Sequence, residues 1–324
     1  MAEAVTLVGD IGGTNARFAL VAGDNAYRQE RVFSCESFSD ADAAIAAYLD
    51  ETQTSHLDAI YIAAAGRVMN GACRFMNNHW FIDEAALRAR FGCARAGVFN
   101  DFVAVAYGLP GLHIDYCTEV GHSMAPVVLE EDFNIGVIGP GTGLGAGALL
   151  GRGGQRIPIE SEAGHMAFAP ESTLQRELLD SLAHRFERVS CERLLSGLGL
   201  ENIYLGLAEV HGLSVKAQSA AQIFAQSQDR ACCIEREATD LFFSVLGQVT
   251  GDLALAYGVK QGMYVAGGIV QRYPSMLRES QFRACFTNKG RHSELLERVP
   301  TYLVEHPYPG LFGAAEYARL KQPR

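Results

Sequence analysis

Residues 7 to 20 read LVGDIGGTNARFAL, placing an aspartate, two glycines, a threonine and an asparagine in the middle of an apolar run that otherwise suits a strand. Gly12 and Gly13 are expected to supply the positive φ angles of a hairpin turn. Asp10 precedes that turn and Thr14 and Asn15 follow it, so a carboxylate, a hydroxyl and an amide converge with bare backbone N–H groups at one tip. Such a tip can hold a hydrated Mg²⁺ through the acid and phosphoryl oxygens through the amides. An ordinary hairpin shaped by its Asp and Asn uses the same residues, and the motif alone leaves both readings open.

A second glycine tip, GPGTGLGAG at 139–147, holds five glycines in nine residues, an entropic cost that a plain turn does not require. Gly141, Thr142 and Gly143 form its centre. The spacing Gly141-x-Gly143-x-x-Ala146 imitates a dinucleotide fingerprint, but that fingerprint must open a helix, and ALLGRGGQRIPI continues as strand. A phosphate-cradling hairpin is the better reading. A third glycine turn, Gly267–Gly268, ends the apolar strand GMYVAGGIV.

Acidic groups stand elsewhere in the chain. Asn100–Asp101 falls where a strand gives way to a helix, which in α/β folds is the ligand-binding end of the sheet. The helix terminus favours an ionised Asp101, suited to accepting or orienting a proton, yet either residue also suits a plain helix cap. IPIESEAGHMAF offers Glu160, Glu162 and His165, able to bond hydroxyls or simply to form an exposed acidic bend. Glu192 follows Ser190 and fits equally a first-turn glutamate behind a cap.

These residues need a frame. Strand runs at the start, a capped helix over 39–50 and the buried strand AIYIAAAG indicate an α/β domain. The helix after Asn100 is expected to stop at Gly108 and Pro110, so Gly-Leu-Pro-Gly marks the first domain boundary. Residues 172–260 carry mostly helical patterns, and the tail is a strand followed by a helix with Leu311, Ala314, Ala315 and Ala318 on one side. Trp80 is expected in the core.

Bulk properties narrow the chemistry. At 324 residues the chain exceeds the usual size of a single core, so two domains are expected. A formal net charge of -10 argues against nucleic acid. The only lysines are Lys216, Lys260, Lys289 and Lys321, so neither a Walker loop nor a kinase strand lysine exists in the first 215 residues. The cysteines at 35, 73, 93, 117, 191, 232, 233 and 285 show no zinc-site spacing and read as reduced thiols. With no apolar run long enough to span a bilayer and no signal-peptide pattern, a cytoplasmic protein without membrane partners is expected.

Two glycine hairpins and a third glycine turn resemble the actin, hexokinase and heat-shock ATPase group. Taken with FNDFVAVAYG, ESEAGHMAF, CERLLSGLGL, VAGGIV and FRACFTNKGR, they resemble the bacterial glucokinase family that lacks the zinc-binding cysteine cluster, nearly end to end. The resemblance implies an α/β, two-domain actin/hexokinase-like (ribonuclease H-like) ATPase fold, with a small domain of residues 1–110 plus 301–324 and a large α+β domain of 111–300. It places sugar in the cleft between them and implies ATP-dependent phosphorylation of glucose at its 6-hydroxyl. Asp101 then accepts the hydroxyl proton, and Asn100, Glu162, His165, Glu192 and Asn78 bind sugar. The nucleotide falls to Asp10, Gly12, Gly13, Thr14, Asn15, Gly141, Thr142, Gly143, Gly267 and Gly268, with Asp10 holding Mg²⁺ through water. VAGGIV and 282–291 become the adenosine side, a homodimer the expected assembly, and Glu160 keeps no role. Ala163 replaces a glycine that close relatives tend to carry, so its bulk is expected to tune sugar fit. Kinases of other hexoses or amino sugars, and a non-catalytic sugar sensor on the same scaffold, are the alternatives.

Overall fold

The computed structural model describes residues 4–22, 27–75, 78–122, 131–229 and 233–321. Its backbone groups into two units, residues 1–115 with 306–324, and residues 116–305.

The first unit is built on a five-stranded sheet. Tyr27–Ser34, Asn15–Ala22 and Val5–Ile11 run antiparallel, and Ala59–Ala64 and Arg95–Asn100 then continue parallel to the last of them. The central strands are apolar on both faces because both are covered. On one face lies the helix Ala41–Glu51, capped by Asp40 accepting the Ala43 N–H at 2.8 Å, with Ala44, Ile45 and Tyr48 buried beside Phe18. Trp80 is buried in the same cluster, as expected. On the other face the C-terminal helix Pro309–Leu320 buries Leu311, Ala314, Ala315 and Ala318 against Val8, Ala19 and Ala63. Its small side chains let backbones come close.

The helix opened at Asp101 corrects one expectation. It runs through Gly108 and Pro110 to Tyr116. A proline within a helix costs about 3 kcal/mol. Burial of Val103, Val105, Leu109 and Leu112, at roughly 1.5–3 kcal/mol each, outweighs it. Gly108 serves close packing here: a Cβ would lie 3.1 Å from the Cα of Gly313 in the C-terminal helix.

The second unit carries a six-stranded mixed sheet in the order Gln155–Ser161, Leu144–Arg152, Phe133–Pro140, Gly262–Val265, Thr301–Val304, Cys117–Glu119. The 24-residue helix Ile234–Tyr257 packs with Thr173–Ala183, Gly197–Val210 and Ala220–Asp229 around a core that includes Phe242, Phe243 and Leu246. The long helical pattern before Gly258 is thus two helices. Positive φ appears in this unit at Gly153 and Gly154 (54° and 75°), which form the two-residue turn between Arg152 and Gln155.

None of the seven described cysteines is in a disulfide; Cys232 lies outside the described residues. Among the described residues no helix is long and apolar enough to cross a membrane.

Candidate active site

The first hairpin closes with Ile11 opposite Ala16, and its tip is held by the Gly12 N–H donating to the Asn15 carbonyl at 2.9 Å. Neither Gly12 nor Gly13 has a positive φ, contrary to expectation. A four-residue connection can be built from right-handed turn residues, so the left-handed region is not required. The glycines matter here for access: a Cβ on Gly12 would meet only the Asn15 carbonyl, at 3.7 Å. Neighbouring segments brace the tip. Cys35 N–H donates to the Thr14 carbonyl at 2.8 Å, and Asn78 Nδ2 donates to the Gly12 carbonyl at 3.1 Å. Asn78, expected at the sugar, is fastened to the first hairpin by this bond and accepts the Trp80 N–H through Oδ1 at 2.9 Å.

Asp10 faces Arg17 across the strand pair, with Arg17 Nη1 3.7 Å from Asp10 Oδ2. Burial pushes the Asp10 carboxyl above its ordinary pKa, and Arg17 only partly opposes this. Arg17 lies over the Tyr308 ring at 5.0 Å, and its buried Nε has no hydrogen-bond partner among the described residues. A Cβ on Gly310, in the first turn of the C-terminal helix, would sit 2.8 Å from the Asp10 carboxylate. Sequence reading missed Arg17, Tyr308 and Gly310. The register Asp10–Arg17 was the one signal that could have found the arginine.

Asn100 ends its strand in register with Ala64, which in turn is in register with Ile11. Both capping roles are realised. Asn100 Oδ1 accepts the N–H groups of Phe102 (2.8 Å) and Val103 (3.2 Å), and Asp101 Oδ1 accepts that of Phe102 at 2.9 Å. Capping orients both side chains at the carboxyl end of the sheet.

In the second unit, Pro140 and Leu144 close a hairpin with Gly141, Thr142 and Gly143 at its tip. The chain continues as a strand, which removes the dinucleotide reading. The Gly141 N–H bonds the Gly143 carbonyl at 2.8 Å, and the Leu144 N–H donates to Glu192 Oε2 at 2.9 Å. Ser190 stands at the N-cap of the short turn Cys191–Arg193 without a side-chain cap bond, and Glu192 lies in its first turn as that reading expected; its Oε2 also accepts from the hairpin. Gly267 (φ 108°) is pressed to the same hairpin, where a Cβ would lie 2.5 Å from the Pro140 carbonyl. A Cβ on Gly268 or Gly141 would meet nothing within 4 Å.

Glu162 precedes the short turn Ala163–His165, and Glu162 and His165 are both exposed. Gly164 in this turn abuts the Leu144 carbonyl, so the acidic loop also rests on the hairpin. Ala163, between them in the same turn, is buried in the core. The Glu160 carboxyl is raised by burial and by the neighbouring charge of Glu162.

Beside Gly141, Thr142 and Gly268 opens a pocket of about 250 Å³, whose far side is Ala220, Ala221, Phe224, Ile269, Arg272 and Tyr273. Phe224 and Tyr273 stack at 4.0 Å. The segment 282–291 does not line it. Phe282 and Phe286 are buried, and Lys289 pairs with Glu171 (3.1 Å) and Asp252 (2.9 Å). Nothing in the sequence announced the aromatic wall, since Ala220, Ala221 and Phe224 read as an ordinary amphipathic helix.

A model of the glucokinase family matches residues 7–321. A glucokinase from Caulobacter sp. strain K31 is 40% identical over 314 residues, covering 95% of this chain and 93% of the relative. The crystal structure of a glucokinase from an Antarctic psychrotroph superposes with a TM-score of 0.87 at 32% identity, covering 98% of this chain and 99% of that one. A ROK family glucokinase from Streptomyces griseus, solved with glucose and AMPPNP, shares the fold with a TM-score of 0.64 at 19% identity, over 98% and 99% of the two chains. The expected two-domain α/β architecture is borne out by these matches, and the chain belongs to the glucokinase family, enzymes that phosphorylate glucose with ATP.

Proposed function

We propose that this chain transfers the γ-phosphoryl group of ATP to the 6-hydroxyl of D-glucose, with Asp101 accepting the hydroxyl proton. The observation that carries the reading is the register Ile11–Ala64–Asn100. It brings the first hairpin, with Asp10 beside it, and the Asn100–Asp101 cap out at one end of one sheet, two strands or about 10 Å apart. Donor phosphates at the hairpin and an acceptor hydroxyl at Asp101 then lie within reach of each other.

Phosphoryl transfer passes through a loose transition state and asks mainly for positioning and charge neutralisation. Asp101, held by its cap, orients the hydroxyl and takes its proton as the new O–P bond forms and the bond from the γ-phosphorus to the β–γ bridging oxygen breaks, releasing ADP. Asn100, Glu162, His165 and Glu192 bond the remaining hydroxyls, and Asn78 acts by bracing the first hairpin beside them. Amides of Gly13, Thr14 and Asn15 on one hairpin, and of Thr142 and Gly143 on the other, receive the phosphates, while Gly12 and Gly141 close each tip with their own N–H groups and leave it bare of side chains. Gly267 lets its turn close on the hairpin, Gly268 leaves room beside the phosphates, and the pocket walled by Phe224 and Tyr273 takes the adenosine.

Asp10 fits a magnesium role, because a buried carboxylate with its nearest arginine nitrogen at 3.7 Å gains from a further cation. Asp10 would hold Mg²⁺ through water, and the ion would supply neutralisation of the polyphosphate charge.

A coupled ADP-release assay over a panel of hexoses and amino sugars, with and without Mg²⁺, tests the reading. Glucose should give the highest kcat/KM, and chelation should abolish turnover. Faster turnover of another sugar would reassign the substrate, and sugar binding without ADP release would make the chain a sensor.

A further inference from the structure

We infer that Glu192 is a positioning residue for the phosphate hairpin as well as a sugar ligand, and so couples sugar binding to nucleotide binding within residues 116–305. This rests on the functional reading above.

The hairpin tip is clamped at both ends by one short segment. At one end Leu144 N–H donates to Glu192 Oε2 at 2.9 Å; at the other Gly197 N–H donates to the Gly141 carbonyl at 2.9 Å. Ser196 locks the two anchors together. Its hydroxyl donates to the Glu192 carbonyl at 2.9 Å and accepts the Gly199 N–H at 3.0 Å, capping the helix Gly197–Val210. Gly143 has no side chain to hold the carboxylate off, since a Cβ there would lie 2.5 Å from Glu192 Oε2.

Oε2 is thus committed to the hairpin, and a sugar hydroxyl engages Oε1 of the same carboxylate. A hydroxyl on Oε1 restricts the carboxylate, which restricts Leu144 and the amides next to it. Nucleotide then binds a hairpin already ordered, and by linkage it must raise sugar affinity by the same factor. No hinge is needed for this coupling, because one side chain touches both partners.

The test combines calorimetry of Mg·AMPPNP, with and without saturating glucose, and hydrogen exchange at the Leu144 amide, for wild type, Glu192→Ala and Glu192→Gln. In wild type, glucose should tighten AMPPNP at least about fivefold. Glu192→Ala should weaken AMPPNP by about threefold to tenfold without any sugar, the worth of one hydrogen bond. It should also speed exchange at Leu144 and erase the glucose effect. Glu192→Gln keeps an oxygen that accepts from Leu144. It should restore sugar-free AMPPNP affinity and Leu144 protection while sugar binding stays weak.

Unchanged sugar-free AMPPNP affinity and unchanged Leu144 exchange in Glu192→Ala would overturn the inference and leave Glu192 a sugar ligand only. So would a Glu192→Gln protein that behaves as the alanine variant does. A wild type that binds neither glucose nor AMPPNP overturns the functional reading itself, whatever the variants do.

Discussion

The two glycine hairpins look alike in sequence and are supported differently. The first carries its own acid: Asp10 lies in the strand that leads into the turn, and its partner Arg17 is its register mate. The second carries none and borrows Glu192 from 48 residues away. Around the first, a Cβ on Gly12 has room; around the second, a Cβ on Gly143 collides with the borrowed carboxylate. The same residue type therefore does two jobs. At Gly12 it leaves the tip uncovered, and at Gly143 it leaves space for another part of the protein.

That contrast can be broken by mutation. The largest effect is expected where neither hairpin acts. Asp101→Asn should lower kcat by about 10²- to 10⁴-fold, the usual contribution of a positioned base, while glucose affinity measured by calorimetry changes little. Near-wild-type turnover would remove Asp101 from the mechanism.

Next comes Gly143→Ala, which must push Glu192 off Leu144. Because the carboxylate is the free end of a flexible side chain, the cost is that of the one hydrogen bond lost, about 0.5–1.5 kcal/mol. AMPPNP and glucose should both weaken by about threefold to tenfold, as read by calorimetry. Gly12→Ala is the control, and its melting temperature should equal that of wild type. Equal stability losses in the two variants would erase the distinction between the hairpins.

A smaller effect is expected at Gly310→Ala, whose methyl would lie 2.8 Å from the Asp10 carboxylate. Displacing that carboxylate should reduce the Mg²⁺ dependence of AMPPNP binding a few-fold, with metal-free AMPPNP affinity held. A variant with wild-type Mg²⁺ dependence would detach Asp10 from the metal.

The smallest concerns pH. His306 precedes the helix that presents Gly310, and its Nδ1 accepts the Tyr308 N–H at 3.1 Å. Burial pushes its imidazole below the ordinary value of 6.5. The unfolded chain therefore takes up the proton first as pH falls. Stability from this group is complete above pH 6.5 and is lost as pH drops through the folded-state pKa. Thermal melts at pH 7.5 and 5.5 should show a drop of about 2 °C that His306→Gln removes.

Much of the first hairpin was legible because everything it needs is local. Asp10, the glycines and Asn15 are consecutive, and strand register pairs Asp10 with Arg17 automatically. The capping of Asn100 and Asp101 was legible for the same reason. What misled were single-residue rules set against packing. Pro110 and Gly108 signal a helix end, yet burial along Val103–Leu112 carries the helix through. Gly12 and Gly13 signal a left-handed turn, yet neither has a positive φ.

From sequence alone came the element types, the two glycine tips, the strand-end acid and the family they jointly specify, because each is written in neighbouring residues and short-range periodicity. Only the tertiary structure decided that Glu192 braces the second hairpin, that Gly310 abuts Asp10, and that Phe224 meets Tyr273 beside Gly268. Those contacts join residues tens to hundreds of positions apart. Their partners are selected by how the sheets and helices pack, and no local pattern encodes that choice.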